Sequence, residues 1–191
     1  MTCFFLSLVL LFLTAVGSPH RAVGPAPDSQ ATVRAQDVVK TRAYVSLEPV
    51  PRGRSFEVAV AVEILSGYHM NAHKTSEEFL IPTTLTSQAP AGFREEEVIY
   101  PEGHLKKFSF SDKPLNVYDG SVTLRARLAA GADAPLGDEE IPFVLRYQAC
   151  NDTTCLPPVK VPVSVALKVA PSGTAAHSVH PEIFGDHAKQ K

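Results

Sequence analysis

From Arg54 to Leu65 the chain reads RSFEVAVAVEIL, and every second residue is large and apolar. Phe56, Val58, Val60, Val62 and Ile64 fall on one side, with Glu57, Ala59, Ala61 and Glu63 on the other. A helix turns once in about 3.6 residues and would scatter these side chains around its axis, whereas a β-strand gathers them on one buried face. The pattern recurs. Ser121–Leu128 turns Val122, Leu124, Ala126 and Leu128 inward, with Arg125 and Arg127 outward. Glu139–Tyr147 does the same with Ile141, Phe143, Leu145 and Tyr147, and Val159–Val169 with Val161, Val163, Val165, Leu167 and Val169. Shorter strands are expected at Arg42–Leu47, Phe79–Thr86, Glu96–Tyr100 and Leu115–Tyr118.

Between these runs lie turn formers such as Ala89-Pro90-Ala91-Gly92 and Asp119-Gly120. Sixteen prolines in 191 residues, with no amphipathic helix in the pattern, leave little room for helical structure. The fold expected is all-β: a single-domain, immunoglobulin-like antiparallel β-sandwich. The distant cysteine pair with a Trp between, typical of antibody domains, is absent, so the likeness to that class is architectural.

The folded domain is expected over residues 40–170. Phe4–Val16, FFLSLVLLFLTAV, is an uncharged apolar run of 13 residues. A membrane span needs roughly 20 such residues, so the run has the length of a signal-peptide core. Ala15-Val16-Gly17 supplies small residues for cleavage after Gly17, giving a signal peptide over 1–17. No Lys or Arg precedes the run, and an uncleaved anchor is the alternative; either way the remainder lies outside the cytosol. Residues 18–39 are rich in Pro, Ala and small polar residues without apolar period and read as a flexible linker. The tail 171–191 loses the alternation and is expected to be disordered. A formal net charge of −2 gives no basic footprint for nucleic acid and no polybasic patch for a membrane surface.

Once Cys3 leaves with the signal segment, two cysteines remain, Cys150 and Cys155, in a compartment that permits disulfides. Asn151-Asp152-Thr153-Thr154 between them are turn formers that can fold the chain back on itself. Closing a six-residue loop restricts the unfolded chain by only about 2.2 kcal/mol, against about 4.7 for a hundred-residue loop. A staple is thus weakly motivated, and Pro157-Pro158 removes backbone donors beside Cys155. On the residues alone three readings stay open: a redox pair, a structural clamp on a secreted binding module, and a zinc site completed by histidines.

The segment YQACNDTTCLPP, Tyr147–Pro158, resembles the cysteine motif of the N-terminal periplasmic domain of the thiol:disulfide interchange protein DsbD. Upstream, Gly67-Tyr68-His69-Met70-Asn71 followed by Glu78-Phe79-Leu80-Ile81-Pro82-Thr83 is similar to that domain's "GWH…N…FLIPT" stretch. Tyr100-Pro101-Glu102 through Val117-Tyr118-Asp119-Gly120 is similar to its middle section, so the resemblance runs from about Lys40 to Val169.

The resemblance implies an immunoglobulin-like sandwich in the periplasm of a Gram-negative-type bacterium. It implies a Cys150–Cys155 disulfide that alternates with the dithiol, and partners that are thioredoxin-fold proteins engaged through transient mixed disulfides. It assigns Cys155 as the sulfur that bonds the partner and Cys150 as the resolving sulfur. Family members cover the pair with a mobile cap loop carrying an aromatic residue. The matching region here is Pro101–Ser111, where Phe108 or Phe110 would be the lid unless both are strand core. Tyr68 and Tyr147 are further candidates to line the site. The loop between the cysteines is one residue shorter than in the best-known members. With no membrane segments or thioredoxin-like domain in these 191 residues, the electron donor is expected to be a separate protein.

Other chemistry is not signalled. His69 and His73 are four apart, but no helix or HExxH accompanies them, and His177, His180 and His187 lie in the tail. No Ser-His-Asp set, phosphate loop or paired-carboxylate motif can be singled out. No cofactor, no metal and no small-molecule substrate is expected.

Overall fold

Strands form where the alternation predicts them, and a second set forms where it gives no sign. The computed structural model describes residues 33–185. In chain order the strands are β1 (Val39–Val45), β2 (Leu47–Glu48), β3 (Val50–Pro51), β4 (Ser55–Ile64), β5 (His69–Asn71), β6 (Thr84–Ser87) and β7 (Phe93–Ile99). They continue with β8 (His104–Lys106), β9 (Leu115–Tyr118), β10 (Ser121–Ala130), β11 (Gly137–Tyr147), β12 (Ala149–Cys150), β13 (Val159–Ala170) and β14 (His177–Ser178). A 3-10 turn at Ala35–Asp37 and a one-turn helix α1 at Pro181–Phe184 complete the elements. No helix among the described residues is long and apolar enough to cross a membrane.

Two four-stranded sheets carry the core. One has the order β1-β4-β10-β7, the other β3-β13-β11-β6. Their apolar faces meet in one cluster: Phe56, Val58, Val60, Val62, Leu124, Ala126 and Leu128 from the first, and Leu85, Ile141, Phe143, Leu145, Val163, Val165 and Leu167 from the second. The fold is the immunoglobulin-like β-sandwich that the sequence implies. All ladders are antiparallel except a two-residue pairing of β3 with β13. At the edge of the first sheet, β7 exposes Arg94-Glu95-Glu96-Glu97, and its register with β10 shifts between Arg127 and Leu128. Charges and a bulge on an edge strand keep it from pairing with another chain.

A third, smaller sheet, β12-β5-β9-β8, grows out of the ends of these two. Three junctions feed it. β4 passes to β5 through a turn in which Tyr68 N–H donates to Leu65 O at 3.0 Å and Gly67 takes φ +83°. β9 passes to β10 through Asp119-Gly120, with Gly120 at φ +64°, a backbone region that glycine enters without penalty. β11 passes to β12 across Gln148. The segments that resemble the cysteine-bearing family, YHMN, VYDG and YQAC, are these junctions. One face of the small sheet, with Met70, Tyr118 and Ala149, closes the end of the main core.

Several boundaries differ from expectation. The ordered chain begins before residue 40: Ala35, Val38 and Val39 are buried, and Tyr147 Oη donates to Ala35 O at 2.7 Å. The alternation misses this entry because Ala35 and Val38 sit in and just after a 3-10 turn, ahead of the first strand residue Val39. At the other end, residues 171–185 do not trail away. β14 pairs with β2, Val179 N–H donates to Ser46 O at 3.0 Å, and Arg125 reaches Ile183 O and lies over the Phe184 ring at 5.9 Å. This strap is held by backbone bonds, Arg125 and an edge contact of His180 with Tyr44 at 5.0 Å rather than an apolar face, so no hydrophobic period announces it. The expected strand Phe79–Thr86 shrinks to Thr84–Ser87, because Pro82 cannot donate to a ladder. Residues 1–32, which hold the signal segment and most of the linker, and residues 186–191 lie outside the described residues.

Candidate active site

Cys150 and Cys155 are bonded, with an S–S distance of 1.94 Å, a dihedral of 101° and Cα atoms 3.9 Å apart. They face each other as an isolated antiparallel bridge. Asn151 N–H donates to Thr154 O at 2.9 Å and Leu156 N–H to Ala149 O at 2.8 Å, so hydrogen-bonded pairs flank the bridge on both sides. The cysteines therefore occupy a non-hydrogen-bonded position, where opposed side chains come closest. The turn is held by Asn151, whose Oδ1 accepts from Thr153 N–H at 3.0 Å, Thr154 N–H at 2.9 Å and the Thr153 hydroxyl at 3.1 Å. Gln148 Nε2 adds a bond to Leu156 O at 3.3 Å.

The two sulfur-bearing residues differ sharply in access. Cys150, on β12 inside the small sheet, is 2% exposed, whereas Cys155 lies on the open side of the turn and is exposed. A thiol protein approaching from solvent meets Cys155.

Across the ladder from Cys150 stands His69, its direct partner in the β12–β5 pairing. Directly opposed residues share a face, so this face carries Cys150, His69 and, two residues on, Asn71. Val117 of β9 pairs with Asn71 and belongs to the same face. It packs in a small cluster with Leu115, Phe108 and the half-buried Leu80. His69 is 1% exposed, and its pKa is lowered to about 4, first by burial and then by the charge of Lys106.

A loop covers this face. Residues 107–114 connect β8 to β9, and Phe108 drops from them to lie flat on the His69 ring, centroids 4.0 Å apart and planes 22° from parallel. Phe110 stacks on Phe108 at 5.2 Å and is 43% exposed, while Phe108 is 3% exposed. Lys106 Nζ stands 5.5 Å from the Phe108 centroid. Between the two phenylalanines, the Ser109 hydroxyl donates to Asp152 O at 3.0 Å and ties the loop to the cysteine turn. Lys113 pairs with Glu77 at 3.0 Å, and Lys107 Nζ donates to Asp112 O. At the loop's base, Asp119 pairs with His104 at 3.3 Å and Lys106 at 3.5 Å.

This arrangement sets aside the strand expectation for Phe108 and Phe110. Neither is in a strand; both belong to the covering loop, one buried in it and one open to solvent. The chain matches the family model "Thiol:disulfide interchange protein DsbD, N-terminal" over residues 35–166.

The chain belongs to the DsbD N-terminal family.

Two solved structures are similar to it. The N-terminal domain of Neisseria meningitidis DsbD in the reduced form is 21% identical, covering 70% of this chain and 88% of that one, with a TM-score of 0.41. The N-terminal periplasmic domain of ScsB from Proteus mirabilis is 14% identical, covering 69% of this chain and 47% of that one, with a TM-score of 0.47. No curated protein sequence matches.

Of the remaining site candidates, Tyr147 is placed elsewhere. It is fully buried in the main cluster, bonded to Ala35 O, and its pKa is raised to about 12 by burial. Strand alternation turns it to the sandwich interior, three residues before Cys150 turns to the site. Tyr68 is half-buried against the same main cluster. His69 and His73 diverge: His73 stacks on Tyr100 at 3.6 Å, with Nδ1 3.0 Å from Thr83 O. His69 stands opposite Cys150, a place beside the cysteines that its spacing from His73 does not suggest. A hint was present in its place within the Gly67–Asn71 segment.

Proposed function

We propose that this member of the DsbD N-terminal family is a thiol-disulfide exchange domain of the periplasm, shuttling electrons through Cys150 and Cys155. It takes them from a thioredoxin-like donor and passes them to other exported thiol proteins. The single observation that carries the reading is the unequal access of the pair: one sulfur at the surface, its mate buried in the small sheet beside the histidine that Phe108 covers. Exchange needs this asymmetry. A partner thiolate attacks Cys155 Sγ, the Cys150–Cys155 bond breaks, and its electron pair leaves on Cys150 as a thiolate. A second partner thiol then displaces Cys155, leaving the partner oxidised and this domain a dithiol. In reverse, Cys150 resolves the mixed disulfide on Cys155. Phe108 is the lid in this scheme and Phe110 its outer face.

A clamp role is poorly supported. The four residues between the cysteines are already ordered by Asn151 Oδ1 and the flanking backbone bonds. Family membership and the apolar N-terminal run support export.

The test is a trap. Cys150→Ser, which leaves Cys155 alone, is expected to accumulate mixed disulfides with thioredoxin-fold proteins on non-reducing gels. Cys155→Ser leaves only the buried sulfur and should accumulate far less. A Cys150→Ser protein that stays wholly monomeric beside such partners would establish the clamp instead.

A further inference from the structure

His69 has no part in the exchange scheme above, yet it is the direct cross-strand partner of Cys150 in the β12–β5 ladder. It faces Cys150 across β5 and β12, and Asn71 N–H donating to Gln148 O fixes that register two residues along. Phe108 closes one face of its ring. Its Nε2 is buried and has no hydrogen-bond partner among the described residues. Buried polar atoms in native proteins are nearly always paired, because an unpaired one costs about what a lost hydrogen bond does. A side chain needed only for packing would be a phenylalanine or leucine here. An imidazole kept at this cost, opposite a sulfur that changes charge, has a use in the other redox state.

We propose that the Nε2–H of His69 is the hydrogen-bond donor to the Cys150 thiolate once the disulfide opens. The inference rests on the exchange reading and names the residue that stabilises its reduced state. A disulfide sulfur is a poor acceptor and a thiolate a strong one, so the bond is available only after reduction. The charges facing the ring are Lys106 and His104, which oppose a positive imidazole, and Asp152 and Asp119, which favour one. Burial and Lys106 prevail and hold the ring neutral. A neutral ring does not accept the thiol proton at physiological pH. It donates from nitrogen to sulfur without transfer, and no proton need move when the electron pair of the broken S–S bond arrives on Cys150.

The experiment equilibrates the full-length protein with glutathione and glutathione disulfide at neutral pH. It compares wild type, His69→Phe and His69→Gln, and follows the ionisation of Cys150 by NMR. Phenylalanine keeps the stack under Phe108 and removes the donor; glutamine restores a donor. His69→Phe is expected to shift the equilibrium about tenfold towards the disulfide, which is about 30 mV for a two-electron couple. It should also raise the Cys150 thiol pKa, and His69→Gln should recover most of both changes. If His69→Phe lies within twofold of wild type, or if both variants fall equally, His69 is structural and the proposal is overturned. If wild type itself is not reduced by any partner, the exchange reading fails first, and that result is distinct.

Discussion

Tyr147 and His69 are both buried to within 1% of full enclosure, and they show how differently the sandwich and the small sheet are built. Tyr147 lies in the sandwich, and its hydroxyl donates to Ala35 O at 2.7 Å. His69 lies in the small sheet, and its Nε2 has no partner. The contrast extends beyond one pair. Among the described residues the two buried side-chain atoms without partners are His69 Nε2 and Asn71 Oδ1, both on the three-residue strand β5 and both on the face shared with Cys150. The sandwich satisfies its buried polar groups and supplies stability. The small sheet leaves such groups open beside the sulfur pair proposed to react.

The strongest challenge to this division is to cut one aromatic from each region. Phe143, at 1% exposure in the sandwich, should cost about 3–5 kcal/mol when changed to Ala. The disulfide equilibrium of the folded fraction should not move. Phe108→Ala empties a much smaller cluster and should cost less in denaturant midpoint. It should also speed reduction of Cys150–Cys155 by a small thiol such as dithiothreitol, because the cover is gone. If Phe143→Ala shifts the disulfide equilibrium and Phe108→Ala leaves the reduction rate unchanged, the two regions are not separate in function.

A smaller effect comes from titration, and the two buried groups act at opposite ends of the pH scale. His69 is lowered from 6.5 to about 4 by burial. Between those values the unfolded chain binds a proton that the folded ring refuses, so stability falls as pH drops from 6.5 towards 4. Tyr147 is raised from 10.0 to about 12, also by burial. Between those values the unfolded chain loses a phenol proton that the folded chain keeps, so stability falls as pH rises. In urea titrations His69→Phe should flatten the acid limb alone and Tyr147→Phe the alkaline limb alone. A variant that flattens the wrong limb would reassign the group.

How far the sequence reveals this division follows from the same structural contrast. β4, β10, β11 and β13 are long and buried on one face, so alternation displays them almost to the residue. β5 is invisible to that reading because His69, Met70 and Asn71 are all buried, one face by the sandwich and the other by the cap loop. A strand covered on both sides has no period of two. For this reason the cysteines were legible through their motif while the histidine opposite them was not. The sequence pattern shows β7 only from Glu96, whereas the strand begins at Phe93, because its exposed Arg-Glu-Glu-Glu run hides the start. The strap of residues 171–185 left no trace because a two-residue ladder and the Arg125 contacts carry no apolar pattern. The likeness of YQACNDTTCLPP to its family supports what local physics does not supply: the proposal that a short disulfide in a well-ordered turn is there to be opened.

The most direct test of that claim is the reduction potential of the Cys150–Cys155 bond, measured by equilibration with thioredoxin or glutathione couples of known potential. A shuttle is expected within the range spanned by thioredoxin-fold proteins, roughly −270 to −120 mV. A value below about −300 mV, with no reduction by thioredoxin, would be that of a structural disulfide and would contradict the account.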